Sequence, residues 1–142
     1  MDLTTDTSAD LADLIAVAEE RLRDFQALRK AGCYAGAVYV GRYAVEVFLK
    51  CLICRRLGKT KLPVIFHSHN LAALLFFAGL NEELEEKQPR RFASFKEVRG
   101  QRVDQLRYQN PARVGVSDCN NWERWLNDKR EGIVPWLRKK CR

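Results

Sequence analysis

The chain has no apolar run that could cross a bilayer. Its longest such stretch, LAALLFFAGL at 71–80, is far short of the roughly 18 residues a spanning helix needs. It also has no segment in which apolar and polar residues alternate, so no strand is predicted. Internal repeats, low-complexity tracts and linkers are missing too. There is no Gly-rich phosphate loop, no Gly-x-Ser-x-Gly and no His-Glu-x-x-His. Those absences remove P-loop nucleotide hydrolysis, nucleophile-elbow hydrolysis and zincin chemistry. The opening MDLTTDTSAD is polar and acidic, unlike a secretory leader. The expected location is therefore cytoplasmic, with no membrane partner. Five cysteines are an odd set, read as reduced thiols rather than a disulfide framework.

What is present suits one globular domain over residues 1–142. Hydrophobic residues are 46% and charged residues 30% of the 142, enough for a single core. Leu11, Leu14, Ile15, Ala18, Leu22, Phe25 and Leu28 recur at helical spacing, predicting a helix over 8–30. Thr7 with Asp10 supplies a capping signal, and Gly32 a stop. A second helix is predicted over 34–57, ending before Gly58, and apolar over most of its circumference. Such a helix belongs at the centre of a bundle. A loop broken by Pro63 leads to a short helix from Ser68 to Gly79. Asn81 caps the acidic turn EELEEK. Pro89 opens a basic amphipathic helix over about 90–107. After the loop YQNPARVGV, a last helix starts at Ser117 or Asp118, carries Trp122, Trp125, Leu126, Ile133, Trp136 and Leu137, and is kinked by Pro135. The fold class is all-α, an antiparallel bundle of about five helices.

Charge is unevenly placed. Residues 1–86 hold 10 Lys/Arg against 12 Asp/Glu, and residues 87–142 hold 15 against 6, giving −2 and +9 of the total +7. A basic half is either a footprint for a polyanion or a solvated surface. Arg90, Arg91, Lys96, Arg99, Arg102, Arg107 and Arg113 crowd this half, with Tyr108 beside Arg107. Arg with Tyr suits phosphate contact and base stacking.

Three smaller constellations carry chemistry or ordinary packing. Cys51, Cys54, His67 and His69 imitate a zinc spacing, but the cysteines lie among Leu52, Ile53 and Leu57, where thiols behave as small hydrophobes. No metal or cofactor is predicted. His67 and His69 flank Ser68 at a helix start, where a His serves either the cap or general-base work. Arg42, Glu46 and Lys50 stand four apart and form one charged stripe on the second helix.

In order, YAGAVYVGRYAVEVFLKCLICRRLG, FHSHNLAALLFFAGL and LRYQNP resemble the HEPN domain family (higher eukaryotes and prokaryotes nucleotide-binding). The matching positions are Ala44-Val45-Glu46, Leu49-Lys50, His69 with Leu71, and Arg107-Tyr108. The resemblance implies a four- to five-helix bundle that forms a homodimer and pairs in many members with a minimal nucleotidyltransferase. Catalytic members are RNA-cleaving toxins that keep an Arg followed, after about four to six residues, by a His. Here Arg107 is followed by Ala112, Arg113 and Val114 at those positions, so the nuclease motif is not carried over.

Three readings follow. The first is a HEPN-like module binding nucleotide, RNA or a partner protein through Arg102, Arg107, Tyr108 and Arg113, as one half of a toxin–antitoxin-type pair. The second is a ribonuclease with an atypical site, for which Arg107, Arg113 and His69 are the catalytic candidates. The third is a purely structural dimerisation partner. Arg42, Glu46, Lys50 and His69 are assigned to structure, or to the wall of a cleft.

Overall fold

The computed structural model describes residues 10–142, and eight α-helices lie among them. Helices α1 (Leu11–Lys30) and α2 (Tyr34–Leu57) form a hairpin. They are followed by α3 (Leu71–Phe77), α4 (Asn81–Lys87), α5 (Pro89–Arg99), α6 (Val103–Tyr108), α7 (Val116–Asn127) and α8 (Ile133–Lys140). No strand forms among the described residues; Asp10 and Lys61 make one isolated bridge. None of these helices is long and apolar enough to cross a membrane. The chain is an all-α helical bundle.

Helix α1 buries a single stripe, Leu14, Ala18, Leu22 and Phe25. Helix α2 buries residues on every side, among them Val38, Ala44, Val45, Phe48, Leu49 and Ile53. It packs against α1, α3, α6, α7 and α8, which is why its sequence tolerates so few polar positions. Gly41 makes the tightest of these contacts. A Cβ there would lie 2.8 Å from Leu126 Cδ1 and 3.1 Å from Phe25 Cδ2, so the missing side chain lets α1 and α7 close on α2. Gly58 ends the helix in the left-handed region at φ 65°, and the Lys59 N–H reaches back to the Cys54 carbonyl at 2.9 Å. Glycine adopts that conformation without steric cost.

The bundle has more helices than the apolar periodicity predicts, because two long segments are interrupted and the acidic turn is itself helical. The segment expected as one helix over 90–107 stops at Arg99 and restarts at Val103, with Arg102 extended at φ −70°, ψ 142°. The last helix breaks between Asn127 and Ile133. There Asp128 Oδ1 accepts the N–H groups of Arg130 and Glu131 at 2.8 and 3.0 Å. Those two bonds hold the Asp128 carboxyl below its ordinary range. Arg91 fastens the same loop, donating to the carbonyls of Lys129 and Gly132. Pro135 is therefore the third residue of α8 rather than a mid-helix kink, at a level where no intrahelical N–H bond is lost. The capping signal at Thr7 lies outside the described residues. Asp10 holds the N-cap position of α1 without a side-chain bond; the Leu11 N–H is met instead by the Thr60 carbonyl at 2.7 Å.

The close approach at Gly41 makes a clear prediction. Gly41→Val places branched carbon where Leu126 and Phe25 already sit, and overpacking of this kind costs about 1–3 kcal/mol. Urea unfolding monitored by circular dichroism should show the midpoint falling accordingly.

Candidate functional site

The charged stripe of α2 points inward. Glu46 is 1% exposed, and the side chains of Arg42 and Lys50 are 5% and 12% exposed. Lys50 Nζ donates to Glu46 Oε2 at 3.0 Å. Arg42 Nη1 lies 3.6 Å from Oε1. The third partner comes from the segment before α3: His69 Nδ1 is 3.0 Å from the same Oε1. A carboxylate only accepts, so Nδ1 carries a hydrogen, and in the neutral ring the lone pair is on Nε2.

Local sequence explains why His69 is held there. Asn70 caps α3, its Oδ1 accepting the Ala73 N–H at 3.1 Å, and Ser68 Oγ accepts the Asn70 N–H at 3.1 Å. Arg42 then pins this segment and the α5–α6 turn to α2. Its Nη2 donates to the His69 carbonyl at 2.8 Å and its Nε to the Gln101 carbonyl at 2.7 Å. Burial pulls the Arg42 guanidinium below its ordinary value, against the opposing field of Glu46. Burial, with Glu46 adding, pushes the neighbouring Tyr43 phenol up. Arg42 Nη1 is buried without a hydrogen-bond partner and relies on Glu46 alone for its charge.

A cavity of about 550 Å³ opens beside this cluster. Arg42 and His69 form part of its wall, and Lys96, Arg99 and Arg102 supply cations from α5 and the turn after it. Asp104 is the acidic residue of the lining and is already paired with Arg102 Nη2 at 3.1 Å. Lys96 and Arg99 lie over the Phe92 ring, 4.9 and 5.7 Å from its centre, which steadies two long side chains. A second, small cavity of about 30 Å³ shares Arg42, His69 and Val103 with the first and adds Tyr39, Tyr43 and Glu46. It is large enough for about one water molecule.

The residues expected to bind RNA or nucleotide do not all meet here. Arg102 lines the main cavity. Arg107 is exposed, and the neighbouring phenols of Tyr39 and Tyr108 raise its guanidinium further. Tyr108 is 78% exposed. Arg113 lines a separate cavity of about 130 Å³ with Val38, Trp122 and Trp125. The structure thus splits Arg113 from Arg102 and joins Arg102 to Lys96 and Arg99 instead. Sequence reading counted those two among the basic cluster but did not single them out. Their signal was a spacing of three, Lys96, Arg99, Arg102, obscured by the helix break at Gly100.

The zinc-like spacing does not converge. Cys51 Sγ faces Cys141 Sγ at 3.7 Å, and His69 is engaged by Glu46. Among the described residues, no group of three or more His, Cys, Asp or Glu is placed to hold a metal ion.

An all-α protein with a basic cavity beside a buried, cation-bound carboxylate is the class that the fold and site define. No protein-family model, no curated protein and no solved structure matches the chain.

Removing the carboxylate strands two buried cations. Glu46→Ala should cost about 3–5 kcal/mol, the usual loss when one partner of a buried ion pair is deleted. Glu46→Gln, which keeps the shape and one acceptor, should cost less. Urea unfolding of the two variants against the parent chain measures both values.

Proposed function

We propose that this chain is a HEPN-like helical module whose cavity binds a phosphate-bearing ligand, RNA or a nucleotide. The observation that carries this reading is the cavity lining: Lys96 and Arg99 bring positive charge to a space of about 550 Å³ whose acidic residue, Asp104, is already paired with Arg102. Guanidinium groups bind phosphate oxygens in bidentate fashion, and a lysine adds a mobile point charge. The volume is within the range of small-ligand sites. The exposed Tyr108, beside Arg107, adds a face on which a base can stack outside the cavity. The +9 balance of residues 87–142 would draw a polyanion toward this side from a distance.

Fluorescence anisotropy with a labelled single-stranded RNA and with a labelled ATP analogue tests the reading. Lys96→Ala/Arg99→Ala should weaken binding at least about 10-fold, the order expected for losing two phosphate contacts. For RNA it should also flatten the log K against log salt slope by about 1.4. Arg113→Ala, in the other cavity, should leave both nearly unchanged. Equal affinities in the double variant and the parent chain overturn the proposal.

A second reading, a ribonuclease with an atypical site, gains support from one contact: His69 Nδ1 on the buried Glu46 carboxylate. A carboxylate that fixes the tautomer leaves Nε2 able to take a proton. In RNA, Nε2 would take the 2′-hydroxyl proton as that oxygen attacks phosphorus. The protonated ring would return the proton to the departing 5′-oxygen, leaving a 2′,3′-cyclic phosphate. Neighbouring Arg side chains would stabilise the extra charge on phosphorus. Arg107 and Arg113, the other catalytic candidates, are not among the residues lining the His69 cavity. Under this reading His69→Gln should cut cleavage by about 10²–10⁴ while RNA binding persists. Intact RNA at every concentration of the parent protein sinks the nuclease reading and leaves the binding one standing.

A further inference from the structure

Outside the cavity, the cysteines form the most reactive arrangement in the bundle. Cys51 lies in the last third of α2, fully buried, and Cys141 immediately follows α8, 7% exposed. Their Sγ atoms are 3.7 Å apart although the residues are 90 apart in sequence. Two further bonds hold Cys141 in place. Its carbonyl accepts a hydrogen bond from Arg55 Nη1, one turn after Cys51 on α2, and its N–H donates to the Leu137 carbonyl at 3.0 Å.

We infer that Cys51 and Cys141 are a disulfide-forming pair, oxidised by peroxide, which can tie the end of α8 covalently to the last third of α2. A disulfide needs sulfurs about 2.05 Å apart, so the two sulfurs, now in contact at 3.7 Å, have to close by about 1.65 Å. The chemistry balances in two steps. The Cys141 thiolate attacks one oxygen of hydrogen peroxide, breaking the O–O bond and giving the sulfenic acid and hydroxide, which becomes the first water by taking up the proton the Cys141 thiol had released. The Cys51 thiol then attacks that sulfur; the S–S bond forms, the S–O bond breaks, and water leaves with the Cys51 proton. Peroxide is reduced to two waters and two thiols are oxidised to one disulfide.

The roles of the two thiols differ by position. Cys141 is the less enclosed of the two, 7% exposed against 0% for Cys51, so oxidant reaches it first. The hydrogen bond with Cys51 holds the Cys141 thiol below its ordinary value, and the Arg55 and Arg138 guanidinium groups add to this. The same bond, with burial, pushes Cys51 up. An electropositive, partly accessible sulfur is the one that reacts first. The other buried thiols are poorer candidates. Burial pushes Cys54 up to about 11, and Cys119 donates to the Tyr34 carbonyl at 3.5 Å. Cys33 is exposed and serves as an internal standard for unselective oxidation.

The test uses the whole chain, fully reduced and then exposed to a small excess of hydrogen peroxide. The expected product is a monomer lighter by about 2 Da, the mass of two hydrogens lost in one disulfide. Non-reducing tryptic digestion should join the peptide Cys51–Arg55 to Cys141–Arg142. Because the first peptide also contains Cys54, fragmentation must place the bridge on Cys51, and Cys54→Ser must still form it. Cys141→Ser must abolish it. Closing so long a loop should raise the thermal midpoint by roughly 5–15 °C, and dithiothreitol should reverse that rise. If Cys54→Ser does not fold, Cys33→Ser with fragment assignment replaces it. A bridge placed on Cys54, or a Cys51–Cys141 pair still reduced when Cys33 is fully oxidised, overturns the proposal.

Discussion

A carboxylate in the centre of a helical bundle must be answered by positive charge, and much of this structure is arranged around that demand. Glu46 is almost wholly removed from water, and its two oxygens are shared among Lys50, Arg42 and His69. Buried ion pairs add little net stability over apolar packing, because desolvating both charges offsets the attraction. What they impose is geometry. Arg42 can meet Glu46 only while its other nitrogens hold the His69 and Gln101 carbonyls. One side chain thus fixes the spacing between α2, the segment leading into α3 and the turn between α5 and α6.

Those same two segments are the rim of the basic cavity. The stop at Gly100 and the extended Arg102 turn the chain so that Lys96, Arg99 and Arg102 approach the Arg42–His69 wall from the opposite side. An uninterrupted helix would have carried the later cations away along its axis, since each residue advances about 1.5 Å. The break that separates α5 from α6 sets the extended Arg102 in the lining beside Lys96 and Arg99. By contrast, Arg91 spends its donors on the carbonyls of the α7–α8 loop, and belongs to the architecture rather than to the cavity. Not every arginine in a basic region is available to a ligand.

The cavity and the thiol pair lie on different parts of α2. Glu46 governs the middle turns toward α3 and α5, whereas Cys51 and Arg55 face the end of α8. The helix that is apolar all round thus has two polar interruptions with separate purposes, each matched by a partner distant in sequence.

Periodicity sufficed for the class of fold. Leu14, Ala18, Leu22 and Phe25 could only line one face of a helix, and the apolar run of α2 required burial on all sides. The i,i+4 stripe of Arg42, Glu46 and Lys50 was equally legible, because that pairing is local. Its direction was not. The stripe was assigned to structure or to the wall of a cleft, and only packing shows that Glu46 is inside. The pairing of His69 with Glu46, the joining of Arg102 with Lys96 and Arg99, and the meeting of Cys51 with Cys141 are contacts between separate elements. Each depends on where a turn sends the next helix. Turns in this chain rest on bonds made by backbone N–H groups, such as Arg130 N–H to Asp128 Oδ1, or Leu11 N–H to the Thr60 carbonyl. Side-chain periodicity carries no record of such bonds, so the class of fold was written locally and the site only in three dimensions.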